Sequence, residues 1–144
     1  SRETVKTLIH VMLAQAQEVF IEKQIVDQKK PGLLAKLAAQ AAYLYAQSVE
    51  GVQDNVSRAV FERVCLLVTQ IKQHHMASVA QYQSALADYE ANNYGQAIAR
   101  LNAAQTASKE ASRLANALPG SMPSNSNLGS ETGSILVDMV KKHV

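Results

Sequence analysis

Histidines are the side chains of this sequence best suited to metal binding or acid–base chemistry, but their spacing matches no such site. His74 and His75 are adjacent, so on a helix they point about 100° apart and do not share a metal ion as an i, i+4 pair would. His10 and His143 have no carboxylate or cysteine at ligand spacing. The pattern predicts exposed or partly packed histidines, with no metal site and no cofactor.

The other reactive side chains also indicate a protein without catalytic residues. Cys65 is the single cysteine and falls beside an apolar helical stripe, which is typical of a buried structural thiol. One cysteine excludes an internal disulfide and suits a reducing compartment. Glu18, Glu22 and Lys23 are expected to be solvated charges on a helix face. These patterns favour a binding protein over an enzyme.

Composition narrows the class of partner. The chain has 144 residues, with 14 basic and 12 acidic side chains and a net charge of +2. That balance argues against a nucleic-acid partner held by its phosphates. No apolar run approaches the ~18 residues that a membrane-spanning helix needs, and no signal peptide is recognisable. Because the first residue is Ser1 rather than methionine, we expect a processed product or a piece of a longer chain.

Helices must position any binding site, because the sequence is rich in alanine and glutamine and has no alternating β-branched runs. Apolar spacing predicts an all-α fold of elongated hairpins. The expected helices cover about 3–27, 31–50, 56–91, 95–117 and 135–144, with a polar, Pro/Gly/Ser-rich loop over 118–134. The third helix should be the longest, and Gly51 is expected to end the second.

The first two helices carry more apolar surface than one interface needs. An apolar stripe with a 3.6-residue period runs along the first helix, through Val5, Leu8, Ile9, Met12, Ala16, Val19 and Phe20. The second helix is apolar on two sides, so it is either sandwiched in a core or offers one side to a partner. Pro31 should begin it, and Lys30 should be non-helical.

The third and fourth helices form a hairpin with a repeat-like signature. Residues 94–98 read YGQAI, and Leu101 and Ala104 follow at helical spacing. This pattern is similar to the second helix of a tetratricopeptide repeat, in which small residues let two helices approach closely. A generic helical hairpin is the alternative.

Three sequence motifs resemble the BRO-one domain of Alix-like adaptors. They are LAQAQE at 13–18, AKLAAQ at 35–40 after a short basic linker, and GQAIARL at 95–101. The resemblance covers most of the chain and is nearest to the fungal vacuolar-sorting branch. It implies the central, tetratricopeptide-like part of a boomerang-shaped domain, with residues 1–144 forming only part of that domain.

The resemblance also implies a partner and a docking surface. Members of this family bind the C-terminal amphipathic helix of an ESCRT-III subunit of the Snf-seven type, in endosomal and multivesicular-body sorting. Their apolar patch corresponds to Phe20, Leu33 and Leu37 here, flanked by Lys23 and Lys36. The implied location is cytoplasmic, peripheral to endosomes and reached through partners, with no enzyme activity.

Two other functions and one structural alternative remain open from the sequence. An ambient-pH signalling adaptor of the same family would use the same surface. A generic tetratricopeptide-type scaffold would bind extended peptides in its superhelical groove, and a groove lined by Asn, Lys and Arg on helices three and four would favour it. Structurally, Phe20, Leu33 and Leu37 could instead fill the core between the first two helices. The docking prediction requires at least two of these three side chains to be exposed on one contiguous patch.

Overall fold

Four long helices form the part of the chain that the structure, a computed structural model, describes, namely residues 2–53 and 60–121. They are α1 (Arg2–Val26), α2 (Pro31–Gln53), α3 (Val60–Glu90) and α4 (Tyr94–Ser121). No strand occurs in these residues, and the prediction of all-α helical hairpins is confirmed. Each helix packs on the next in chain order, α1 on α2, α2 on α3 and α3 on α4.

The turn between α1 and α2 is a Schellman motif centred on Gln28. Gln28 has a φ of 54°, in the left-handed region that glycine usually occupies. Its amide donates to the Ile25 carbonyl at 3.0 Å, and the Lys29 amide donates to the Gln24 carbonyl at 3.1 Å. These bonds satisfy the last carbonyls of α1 and reverse the chain, so α2 can return along α1.

The turn between α3 and α4 repeats the same geometry. Asn92 has a φ of 64°, and its amide donates to the Tyr89 carbonyl at 3.0 Å. The Asn93 amide donates to the Asp88 carbonyl at 2.8 Å. Asparagine tolerates the left-handed conformation well, so the predicted turn at this position is explained by its chemistry.

The core between α1, α2 and α3 is built largely from small side chains around a few large ones. Ile21 and Tyr45 are each 1% exposed, and they pack with Met76. The small members of this cluster are Ala14, Ala38, Ala41 and Val79. A second cluster joins α3 to α4 through Ile71, Ala115 and Leu118. Small side chains such as alanine allow neighbouring helix axes to approach closely.

Two predicted helix ends were wrong. Gly51 does not end α2, because the helix continues to Gln53 and Gly51 packs there against Thr7 of α1. α4 was expected to end at residue 117 but continues to Ser121, through Pro119. Leu118 is fully buried against Ile71, and this packing holds the last turn helical despite the proline that follows.

Several predictions lie outside the described residues. They concern the start of the third helix near residue 56, the loop from 122 to 134, and the last helix over 135–144, which includes His143. The side chain of Cys65 also falls outside what the structure describes.

Candidate docking surface on the first hairpin

The five residues predicted to bind a partner lie on the α1–α2 hairpin. Phe20 and Leu33 are each 47% exposed, so two of the three apolar side chains are accessible, as the docking prediction requires. Leu37 is half-buried and packs against the core cluster. Lys23 and Lys36 are exposed on the same two helices. The surface therefore consists of two accessible apolar groups, a partly covered third and two ammonium groups.

Hydrogen bonds from Gln17 connect α1 to α2. Its Nε2 donates to the carbonyl oxygen of Leu37 at 3.3 Å and to Oε1 of Gln40 at 3.4 Å. Gln17 is one helical turn before Phe20, on a neighbouring position of the α1 surface. The turn of α1 that carries Phe20 thus lies across from the turn of α2 that carries Leu37.

The start of α2 directs two adjacent leucines to different environments. Pro31 begins the helix, and the carbonyl of Lys30 accepts from the amides of Leu33 and Leu34, both at 3.1 Å. Consecutive helical residues point about 100° apart. Leu34 consequently faces the core and is 4% exposed, whereas Leu33 points away from it.

The apolar stripe of α1 lies mostly on the exposed side of this hairpin. Its exposed large members in the described structure are Val5, Leu8, Ile9, Met12, Val19 and Phe20, joined by Leu13. The buried face instead carries Ala14, Glu18 and Ile21. Sequence periodicity identifies the most hydrophobic face of a helix. The face of α1 that packs carries a small alanine and a carboxylate, so periodicity does not identify it.

Glu18 was expected to be solvated, and the structure contradicts this. It is 5% exposed, and its carboxylate lies where α1, α2 and α3 meet. Oε2 accepts a hydrogen bond from the Tyr45 hydroxyl at 2.5 Å, and Lys72 Nζ lies 3.0 Å from the same oxygen. The partner lysine is 54 residues away in sequence, so no local pattern could identify it.

Burial raises the pKa of the Tyr45 phenol well above its ordinary value, and the hydrogen bond to Glu18 raises it further. Tyr45 therefore stays protonated and remains a hydrogen-bond donor throughout the neutral range. The expected solvated positions of Glu22 and Lys23 agree with the structure, where both are exposed.

A second, open groove lies between α3 and α4. It encloses about 670 Å³ and is lined by His74, Ala103, Thr106, Ala107, Lys109, Glu110 and Arg113. Arg113 and Glu110 form an ion pair with bonds of 2.6 and 3.0 Å, and this contact lowers the pKa of Glu110. The groove thus presents one unneutralised lysine and one half-buried histidine over an alanine floor.

His75 is more deeply packed than expected. It is 2% exposed because α3 is covered by α2 on one side and α4 on the other. Among the side chains that the structure describes within residues 2–53 and 60–121, no three of histidine, cysteine, aspartate or glutamate are grouped so as to hold a metal ion. No helix in that part of the chain has the length and apolar character needed to cross a bilayer.

Comparison with known proteins identifies the family. A family model for the BRO1-like domain matches residues 1–143. The vacuolar protein-sorting protein bro-1 of Neurospora crassa is 65% identical over 144 residues, which are 100% of this chain and 14% of that protein. The vacuolar protein-sorting protein BRO1 of Gibberella zeae is 58% identical over the same shares of both chains.

A more distant relative has a different name. The pH-response regulator protein palA/RIM20 of Pyricularia oryzae is 36% identical over 103 residues, covering 70% of this chain and 12% of that protein. The chain thus spans only a small part of the curated relatives it matches. The match over residues 1–143 and the helical hairpins agree, and the chain belongs to the BRO1-like domain family.

Proposed function

We propose that this chain is a docking segment of an endosomal-sorting adaptor and binds the C-terminal amphipathic helix of an ESCRT-III subunit of the Snf-seven type. We refer to that helix as the tail peptide. The observation that carries the proposal is the exposure of Phe20 and Leu33, each 47%, beside the exposed Lys23 and Lys36.

The chemistry of the surface suits an amphipathic helix with acidic flanks. Apolar side chains at i, i+3 and i+4 of a partner helix can cover Phe20 and Leu33, with Leu37 as the floor. Lysine ammonium groups at the rim then attract carboxylates and orient the partner. No catalytic step is needed for this role, and the proposal is of a non-enzymatic adaptor.

The relatives support the vacuolar-sorting branch over the ambient-pH branch. Two vacuolar protein-sorting proteins are 65% and 58% identical over the full chain, whereas the pH-response regulator is 36% identical over 103 residues. Both branches would use the same surface. The proposed pathway therefore rests on sequence identity to the vacuolar-sorting relatives. The proposed partner rests on the chemistry of the exposed surface.

The size of the surface indicates a weak to moderate complex. Burying a large apolar side chain completely is worth roughly 1.5–3 kcal/mol, and these side chains are already partly buried. Association costs several kcal/mol of lost freedom. Three anchors with basic flanks therefore give a dissociation constant on the order of micromolar.

A tail-peptide titration with two matched variants tests the proposal. Leu33→Asp places a charge in the desolvated contact, and we expect it to weaken binding at least about a hundredfold, beyond ~2.7 kcal/mol. Ile98→Asp is the control, since Ile98 is 60% exposed on α4 and makes the same change of charge away from the hairpin. Intact binding by Leu33→Asp, or equal loss in both variants, would refute the assignment.

The groove between α3 and α4 supports a second candidate function, a scaffold for extended acidic peptides. Lys109 and His74 on its rim provide the positive charge, and Ala103 and Ala107 leave room for a peptide backbone. In that case Lys109→Glu, and not Leu33→Asp, would abolish peptide binding.

A further inference from the structure

A buried polar junction connects three helices beneath the proposed docking surface. The carboxylate of Glu18 on α1 accepts from the Tyr45 hydroxyl on α2 at 2.5 Å. Lys72 Nζ on α3 lies 3.2 Å from Oε1 and 3.0 Å from Oε2 of the same carboxylate. Glu18 is 5% exposed and Tyr45 is 1% exposed, so the junction is largely shielded from water.

The hydrogen bonds of this junction are directional, whereas the surrounding apolar contacts are not. The neighbouring buried side chains of α1 are Ala14 and Ile21, whose apolar contacts tolerate small rotations and shifts. α1 packs mainly on α2, and the contact between Glu18 and Lys72 ties it directly to α3. Buried charges contribute little net stability, and their best-attested use is to select one register.

The position of Glu18 relates the junction to the docking residues. Phe20 lies two residues later, about 200° around the helix, so it points away from the core when Glu18 points in. The neighbouring Gln17 bonds to the carbonyl of Leu37, a docking residue itself. A rotation of α1 that broke the junction would carry Phe20 towards or away from Leu33.

We propose that Glu18, with Tyr45 and Lys72, is a positioning group for the docking surface and fixes the rotation of α1 so that Phe20 and Leu33 are presented together. This inference rests on the proposed function. The three residues touch no partner themselves. They act by keeping one arrangement of the hairpin populated, and affinity falls in proportion to the fraction of molecules that leave it.

Replacing the whole junction by apolar side chains separates its effect on peptide affinity from its effect on stability. In the full 144-residue chain, Glu18→Met, Tyr45→Phe and Lys72→Met together remove every polar atom of the junction while keeping similar volumes. We expect the melting temperature to be retained or raised, because isosteric apolar replacement of buried charges is often neutral or stabilising. Affinity for the tail peptide should nevertheless fall about tenfold, as the competent fraction falls to about one tenth.

Two further variants complete the affinity test. Glu18→Gln keeps the shape and a hydrogen bond to Tyr45, and it should weaken binding less than the triple variant does. Asp88→Asn is the matched control, because Asp88 pairs with Arg100 at 2.6 Å between α3 and α4 and does not involve α1. It should leave affinity unchanged.

A distance measurement tests the inference without the tail peptide. Spin labels at Glu22→Cys and Ala39→Cys, both exposed positions, report the α1–α2 separation in a Cys65→Ala background. The triple variant should broaden that distribution, and Asp88→Asn should not. An unchanged distribution together with parental affinity in the triple variant would overturn the inference. Failure of the parent chain to bind the tail peptide, with a broadened distribution in the variant, would overturn the proposed function alone.

Discussion

The adjacent leucines of α2 allow a paired test of whether the docking surface is exposed or part of the core. Leu33 is 47% exposed and Leu34 is 4% exposed, yet they share one helix turn and one residue type. The perturbation is the same for both, substitution by aspartate. If the two positions differ as the structure shows, the two variants must differ in stability and in binding.

The expected cost of Leu34→Asp is large. It loses the burial of a leucine, roughly 1.5–3 kcal/mol, and places an unpaired carboxylate in an apolar site, which adds several kcal/mol more unless it protonates. A total of about 4 kcal/mol is a substantial part of the ~5–15 kcal/mol that stabilises a typical domain. We expect this variant to be largely unfolded at ambient temperature, or to melt at least about 10 °C lower.

The expected cost of Leu33→Asp is small because two effects nearly cancel. About half of the leucine burial is lost, or ~1 kcal/mol. The new carboxylate lies in the first turn of α2, which has no acidic residue, and its interaction with the helix N-terminus returns about 0.3–1 kcal/mol. The melting temperature should therefore move by no more than a few degrees.

Thermal melts followed by circular dichroism, with a tail-peptide titration of each folded variant, measure both quantities. Leu33→Asp should melt close to the parent and fail to bind. Leu34→Ala is the control for lost packing without a charge, and should cost about 2–5 kcal/mol. Comparable destabilisation by Leu33→Asp and Leu34→Asp would place Leu33 in the core and refute the reasoning.

Three further predictions concern the helices themselves. Gly51→Ala should lower the melting temperature, because a Cβ there would overlap the Thr7 side chain; Gly32→Ala, which meets nothing within 4 Å, should raise stability by up to about 1 kcal/mol. Gln28→Gly should stabilise the chain by about 0.5–1 kcal/mol in denaturant titrations by relieving the positive φ, and a loss of stability would show that the Gln28 side chain matters more than its backbone. Tyr45 has a pKa raised above the ordinary 10.0, so its contribution is fully present below pH 10 and is lost as the pH rises further. Denaturant titrations between pH 8 and 11 should show a steeper alkaline decline in the parent than in Tyr45→Phe, and parallel curves would contradict this.

The helix order followed from the sequence because its strongest local signals agree with the tertiary structure. Pro31 begins α2, and the Asn92–Asn93 pair ends α3 in a left-handed turn, where asparagine is favoured. The errors arose where packing outweighs local preference. Gly51 stays helical against Thr7, and Leu118 holds the last turn of α4 by burial.

The side of α1 that packs could not be predicted from periodicity. The hydrophobic stripe through Leu8, Met12 and Val19 is exposed, and the packed side depends on Glu18. The buried carboxylate of Glu18 needs Tyr45 and Lys72 as partners. Both are distant from Glu18 in sequence, so only the tertiary structure brings the three residues together. The proposed docking residues were chosen through family motifs, and periodicity alone would have placed Phe20 in the core.

Alanine-rich interfaces explain why polar contacts control the geometry of this hairpin stack. Small side chains allow close approach but present smooth surfaces, which specify distance better than register. Directional contacts accordingly cross α1–α2 and α3–α4, and one joins α1 to α3. Gln17 bonds across α1–α2, Glu18 joins α1 to α3, the Ser78 hydroxyl donates to the Ala104 carbonyl at 2.9 Å, and Asp88 pairs across α3–α4. A docking surface assembled from two helices depends on such contacts, because its apolar groups recognise a partner helix only while both helices keep one rotation.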